Sequence, residues 1–421
     1  MPGGGTNPGI IVTSRAPARL LDLTRLVSRA GRRPTGIDRV ELAYLRAFLA
    51  DTVPVFGLVR SAWGFILLER QGCQALLDRV TGHTSWGKPD LLSFLRRRLS
   101  SVRKQAEADL RRFALGRCLP SGLGRMLTRN LPTGAAYINV GHTNLTERVL
   151  GSVRRSLAGQ VVVMIHDTIP LDYPQYQRPG TVGKFRAMLA RVQRHATLIL
   201  CNSACTRADL MRHISADGAV PDTLVALLGA EDLTTGTLPD MPSGFDWNRP
   251  YFVTVGTIEP RKNHMFLLDL WSDMAAARPS GPMPQLLICG ARGWNNDAVF
   301  ARLDSDPLMG QHVFELPDLT DGQIAALLQQ AHGALFPSHA EGFGLPPVEA
   351  LSLGVPVICN TLEIYTETLG EYPVYASVDD RYLWLQETER LAFGQNGRQV
   401  TGKGFQPPRW QSHFNAVLSR L

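Results

Sequence analysis

PSHAEGFGLPPVEALSLGVP, residues 337–356, decides the fold. The four residues before it, GALF, form a short apolar run of strand type. The stretch then turns through two glycines, Gly342 and Gly344, and enters a helix near Pro346–Pro347. Proline is favoured in the first helical turn, where its missing N–H is not needed. A strand, a Gly-rich turn and a helix in that order form the half-unit of a parallel α/β sheet. The turn also lets the backbone approach a ligand closely, and free N–H groups at the helix start suit an anion or sugar hydroxyls. Glu341 precedes the turn and Glu349 follows eight positions later, so one carboxylate can face a cleft while the other accepts hydrogen bonds from a diol. The alternative for Glu349 is complementing the helix dipole.

The same rhythm runs outward in both directions. Strand-type runs at Tyr251–Val255, Leu286–Cys289, His312–Glu315, Ala334–Phe336, Val357–Ile358 and Val374–Tyr375 alternate with helical patterns. Upstream, residues 232–250 interrupt it with Pro, Gly, Ser and Thr and read as a linker. Before the linker lie further runs at Leu20–Leu23, Val53–Val59, Tyr137–Val140, Val161–Ile165, Leu198–Asn202 and Leu224–Leu227. Helical patterns separate most of them, as at Ile37–Leu49, Lys184–His195 and Thr206–Ile214. The predicted fold class is therefore α/β, with two Rossmann-like doubly wound domains facing a cleft. The division is residues 1–235, residues 248–405 and a C-terminal helix in 406–421 that can pack back on the first domain. At 421 residues, two cores are also what size favours.

Open α/β sheets bind ligands beyond the carboxyl ends of their strands, which selects the residues to inspect. In VGTIEPRKNH, 255–264, Gly256 and Thr257 close a strand and Arg261 and Lys262 follow. Arg supplies paired planar donors and Lys a point charge, which together match a diphosphate leaving group that gains charge as its bond breaks. The bland reading is a solvated turn. CGARGWNND, 289–297, places Gly290 and Gly293 where they leave room near a nucleotide. In the first half, Ile165-His166-Asp167 ends a strand, Thr35–Arg39 (TGIDR) opens an amphipathic helix, and Val140–Asn144 (VGHTN) follows another strand. His142, Thr143 and Asn144 are candidates for an acceptor pocket, Asp167 for orienting backbone, and Ser203 for a helix N-cap.

These islands together resemble the GT-B retaining glycosyltransferases of family 4, bacterial mannosyltransferase-like members above all. The resemblance covers nearly all of the second domain and several islands of the first. It implies a metal-independent hexosyltransferase acting with retention. Glu341 would contact the donor sugar, Glu349 the nucleotide ribose, and Arg261 and Lys262 the diphosphate. The amides of Phe343, Gly344 and Leu345 would lie near sugar and phosphate, as would Gly36, Gly256, Thr257 and Gly290. His166 would face Glu341 near the sugar hydroxyls. Two departures appear: the first-domain loop lacks the usual paired glycines around Gly36, and Pro317 in VFELPDLTDGQ stands where many relatives carry Gly. TIEPRKN and G-RGW look most like mannosyltransferases, which makes GDP-mannose the first donor. The donor is a co-substrate, and no cofactor and no metal are expected; no D-x-D segment has a chelating context. The acceptor would be a polysaccharide or a polyprenyl-diphosphate-linked oligosaccharide. Alternatives of the same architecture are a sugar-nucleotide epimerase and a non-catalytic polysaccharide-assembly subunit.

Composition agrees with a globular chain, 44% apolar and 19% charged. The net charge of +7 is local: residues 94–129 carry ten Lys/Arg and two acids, which leaves −1 for everything else. Leu92, Leu95, Leu99, Val102, Ala106, Leu110 and Phe113 fall at helical spacing, so residues 92–117 are expected to form one basic amphipathic helix. It is either a solvated face or a surface for anionic lipid. No nucleic-acid motif accompanies the charge. Six cysteines follow no disulfide framework and read as buried thiols. The N-terminus lacks the pattern of a secretory signal and reads as a disordered tail. The expected location is the cytoplasm, at the inner face of the membrane.

Overall fold

The computed structural model describes residues 16–95, 98–215, 218–230, 233–279, 281–394 and 404–421. The N-terminal tail and residues 96 and 97 of the basic stretch therefore lie outside the described residues.

The first sheet contains β1 (Arg19–Asp22), β2 (Val55–Ser61), β3 (Gly64–Leu68), β4 (Ala114–Cys118), β5 (Ala136–Asn139), β6 (Val161–Ile165), β7 (Leu198–Cys201) and β8 (Asp222–Val225). Their order is β4-β3-β2-β1-β5-β6-β7-β8. From β2 to β8 all neighbours are parallel, while β3 and β4 pair antiparallel at the edge. β6, VVVMI, is buried at every position, as a strand covered on both faces must be. The second sheet contains β9 (Tyr251–Val255), β10 (Gln285–Cys289), β11 (Val313–Leu316), β12 (Gly333–Phe336), β13 (Val357–Cys359) and β14 (Val374–Tyr375). All pairs are parallel, in the order β11-β10-β9-β12-β13-β14. Renumbered within the domain, this is the doubly wound order 3-2-1-4-5-6, with its switch point between β9 and β12.

Two expectations need correction. The β3–β4 pair is absent from the sequence reading, and the basic stretch is not one helix. It breaks into Leu91–Phe94, capped by Asp90, and Ser101–Arg112, capped by Ser100, whose side chain accepts from the Arg103 amide. Residues 114–118 then run as edge strand β4. Local capping and cross-strand pairing override the helical spacing of the leucines. Of the six cysteines, Cys73, Cys201, Cys289 and Cys359 are buried, whereas Cys118 and Cys205 are half-buried.

The chain ends in a helix, Trp410–Leu418, that lies on the first domain. His413 is 1% exposed, and its Nδ1 sits 3.2 and 3.1 Å from the carbonyls of Ala226 and Leu227. Carbonyls only accept, so Nδ1 carries the proton and Nε2 accepts from the Tyr44 hydroxyl at 2.8 Å. No described helix is long and apolar enough to cross a membrane.

Candidate active site

Both segments leaving the second sheet's switch point carry charge. After β9 the chain makes a single 3-10 turn, Pro260–Lys262, closed by Asn263 in the left-handed region. After β12 it passes Ser338 and Glu341, then enters the helix Leu345–Ser352 from Gly344 at φ 84°, a conformation glycine adopts without strain. Pro346 and Pro347 have no N–H, so the donors this turn can present are the amides of Phe343, Gly344 and Leu345. The two segments meet at Glu341. Its Oε2 accepts from Arg261 Nη1 at 2.7 Å and its Oε1 from Lys262 Nζ at 2.6 Å and the Ser338 hydroxyl at 2.7 Å. Arg261 also reaches Glu259 Oε1 at 2.8 Å. Burial alone would raise the Glu341 carboxyl, but Lys262 and Arg261 outweigh it and hold the group at about 2. It is therefore ionised at neutral pH, and two cations stand against two buried carboxylates.

The first domain brings His166 to the opposite side from the end of β6. Its Nε2 lies 2.7 Å from the Val140 carbonyl, which fixes the N–H on Nε2. Burial drives the imidazole down to about 4, against the raising effect of that hydrogen bond, so it is neutral at pH 7. In that state Nδ1 is an acceptor, suited to a sugar hydroxyl. Asp167 accepts from the Ile169 amide at 3.1 Å and so orders the backbone after the strand. Gly342 packs against this corner: a Cβ there would stand 2.9 Å from the His166 carbonyl oxygen. Asn202 Nδ2 donates to that same oxygen at 2.9 Å.

The cleft between the domains encloses about 1050 Å³. Its walls include Gly36, His166, Gly256, Thr257, Arg261, Lys262, Gly290, Glu341, Phe343, Gly344 and Leu345. Glu349 lies behind the wall, buried, with its Oε1 accepting from Arg39 Nη1 of the first domain at 2.6 Å. His142, Thr143 and Asn144, the candidates for an acceptor pocket, are not among the residues that line this cleft. They back it instead. His142 Nε2 is 2.9 Å from the Met164 carbonyl, its ring centroid is 4.9 Å from that of His166, and Asn144 donates to Asp22 at 2.8 Å. The reason is topological: the loop after β5 is covered by the helix Gly36–Ala50, and a Cβ on Gly141 would stand 2.1 Å from Glu41 Oε2. Gly290 and Gly293 also let the two loops pack closely, since side chains there would strike the Gly256 carbonyl and Thr257. Ser203 caps the helix Ala204–His213 by accepting from the Thr206 amide.

Sequence reasoning gave no role to the arginines of the first wall or to Glu259. Arg25, Arg29, Arg32, Arg33 and Arg39 all line the cleft. Arg25 and Arg29 share Asp38, at 2.6 and 2.7 Å, whereas Arg33 reaches Asp318 and Arg39 reaches Asp321. Five arginines within fifteen residues, RLVSRAGRRPTGIDR, were a legible signal. Among the described residues no group of three or more His, Cys, Asp or Glu side chains is placed to hold a metal ion.

A doubly wound switch point, opposed across a cleft by a second Rossmann-like domain, defines the class of fold. Residues 241–378 match the family described as "Glycosyl transferases group 1", so the chain carries a group 1 glycosyltransferase domain. Over 235 residues, 51% of the chain, it is 29% identical to the serotype-specific mannosyltransferase WbdA of Escherichia coli, covering 27% of that protein. It is 28% identical over 233 residues, 52% of the chain, to the O-antigen chain mannosyltransferase B of Escherichia coli, covering 58% of it. The matched region thus spans from about a quarter to just over half of these relatives' length. Among solved structures, Anabaena Alr3699/HepE in complex with UDP and glucose aligns over 96% of this chain and 95% of its own, with a TM-score of 0.56 at 14% identity. The fold is GT-B.

Proposed function

We propose that this chain is a hexosyltransferase that moves mannose from GDP-mannose to a polysaccharide or polyprenyl-diphosphate-linked oligosaccharide, with retention and without a metal. The observation that carries this reading is Glu341 clamped by Arg261 and Lys262 at the switch point, with His166 across the cleft. In the transfer, the bond between the sugar's anomeric carbon and the phosphate oxygen breaks with its electrons going to the diphosphate. The acceptor oxygen bonds to the same carbon, and its proton passes to the departing phosphate. Arg261 and Lys262 meet the charge that grows on the leaving group, which is the place where fixed cations lower a barrier. Glu341 faces the sugar, and His166 Nδ1 accepts from one of its hydroxyls. The relatives' names support mannose as the sugar. Peripheral association with the inner face of an anionic membrane would bring a lipid-linked acceptor to the cleft.

The test is a panel of sugar nucleotides with purified protein, scored for transfer and for donor hydrolysis, with and without EDTA. Activity highest with GDP-mannose, undiminished by chelator, and an α-linked product from the α-linked donor are expected. Interconversion of free sugar nucleotides without transfer would replace the reading with an epimerase. Loss of activity in EDTA that Mn²⁺ restores would overturn metal independence.

A further inference from the structure

One edge of the first domain exposes large apolar side chains beside cations. Leu91, Phe94, Leu95 and Leu119 are 86%, 64%, 68% and 67% exposed, far beyond what a solvated helix or turn requires. They belong to one surface. Trp63, at the β2–β3 turn, donates from Nε1 to the Leu92 carbonyl, and a Cβ on neighbouring Gly64 would stand 3.1 Å from the Leu119 Cα. The exposed face of β4 continues it with Leu115 and Arg117. Between residues 84 and 130 there are three acids, each paired with an arginine, and Glu107 and Asp109 are buried while Asp90 is half-buried. Asp90 binds Arg111 at 2.6 Å, Glu107 binds Arg103 at 3.2 Å, and Asp109 binds Arg79 at 2.7 Å. Lys88, Arg98, Arg117, Arg125 and Arg129 remain exposed on the same stretch. An apolar tip ringed by outward cations, its acids paired with arginines, is complementary to a bilayer with anionic headgroups.

We infer that this edge seats the protein on an anionic membrane, with Leu91, Phe94, Leu95 and Leu119 entering the interface and Lys88, Arg98 and Arg117 meeting the headgroups. The inference rests on the proposed function only in giving that function its place. The helix Ser101–Arg112 ties the edge to the cleft, because a Cβ on Gly31, in the arginine-bearing loop, would stand 2.9 Å from Val102. A lipid-linked acceptor would therefore reach the cleft from the side on which the protein sits.

The experiment is sedimentation of the full chain with phosphatidylglycerol-containing vesicles and with phosphatidylcholine vesicles. Binding to the first alone is expected, with release as salt approaches about 1 M, where screening acts within about 3 Å. Lys88→Gln/Arg98→Gln/Arg117→Gln should lower partitioning by roughly 10²-fold, about fivefold per charge. Leu91→Ser/Phe94→Ser/Leu95→Ser should abolish it. Both variants should keep transfer to a short soluble acceptor within about threefold of the wild type, since neither set lines the cleft. Wild type that fails to bind at low salt overturns the proposal, as does a serine variant that binds normally. A wild-type dimer in solution that the serine variant splits would assign the edge to a second copy and overturn it too. Vesicle binding without transfer from any donor would sink the proposed function and leave the membrane surface standing. Transfer without vesicle binding would do the reverse.

Discussion

The two walls of the cleft obtain their charge by different rules. On the second-domain wall, Arg261 and Lys262 are bonded to Glu341 and Glu259, all within one domain and one pair of adjacent loops. On the first-domain wall, Arg25 and Arg29 share Asp38, while Arg33 and Arg39 bond carboxylates across the cleft, at Asp318, Asp321 and Glu349. The first arrangement holds whether or not the domains approach each other. In the second, the Arg33 and Arg39 bonds exist only when they do, while the pairing of Arg25 and Arg29 with Asp38 is internal to the first domain. Substitutions on the donor wall should therefore act on the reaction itself, and substitutions on the arginine wall should act through closure.

The largest effect belongs to the donor cations. Arg261→Ala or Lys262→Ala should lower kcat by roughly 10²-fold to 10³-fold, the scale for removing one preorganised charge stabiliser. Steady-state kinetics on variants with unchanged circular dichroism would measure it. Turnover within a few-fold of the wild type in both would place the diphosphate elsewhere and dissolve the contrast between the walls.

Glu341→Gln separates the carboxylate from the cations it holds. Turnover should fall by about 10²-fold, because the group facing the reacting sugar loses its charge. Binding of the nucleoside diphosphate should be equal or tighter, since the cations lose the Glu341 charge that competes with phosphate, and Glu259 alone remains on Arg261. Calorimetry reads the two apart. A parallel tenfold loss of diphosphate affinity would mean that Glu341 builds the cation site rather than occupies it.

A smaller split is expected where the walls meet. Glu349→Ala should weaken nucleoside diphosphate binding about tenfold with a smaller change in kcat at saturation, because Asp321 still holds Arg39 across the cleft. Arg39→Ala should do the opposite: binding within about threefold, and kcat down about tenfold because the domains are held less firmly in register. Identical effects of both substitutions on binding would make Arg39 a nucleotide contact and remove its closure role.

How much could be read beforehand follows the same division. Every strand of the second sheet was visible, because each is a short apolar run bounded by turn residues, and the site residues there follow strand ends within a few positions. In the first domain, β3 (GFILL) follows β2 after a two-residue turn and merges with it in sequence, while β4 (ALGRC) sits inside a run of cations and imitates the end of a helix. His142–Asn144 carried the right signal, a polar loop after a strand, yet the helix covering β5 turns that loop into the support of His166. The bonds of Arg39 and Arg33 join residues 282 and 285 positions apart, a distance at which single-sequence pattern carries no information.

The smallest effect concerns His166, and it tests whether this part of the first wall is as fixed as the donor side. A free imidazole titrates near 6.5, where it would turn from acceptor to donor in the middle of the working range. Burial penalises the charged form and brings the group to about 4, although its hydrogen bond to the Val140 carbonyl acts in the other direction. Protonation therefore favours the unfolded chain, and folding stability should fall as pH drops from 6.5 towards 4. The slope is about 1.4 kcal/mol per pH unit for this one proton. Above pH 6.5 both states are neutral and the group contributes no pH dependence. The same shift fixes catalysis. Nδ1 stays an acceptor for a sugar hydroxyl from about pH 5 upward, so kcat/KM should show no limb assignable to His166 between pH 5.5 and 8 and should fall only as pH approaches 4. His166→Asn should lower kcat/KM but leave the profile in that range unchanged. An acid limb near 6.5 in the wild type that disappears in His166→Asn would show an imidazole open to solvent, and this corner would then belong with the arginines whose arrangement waits on closure.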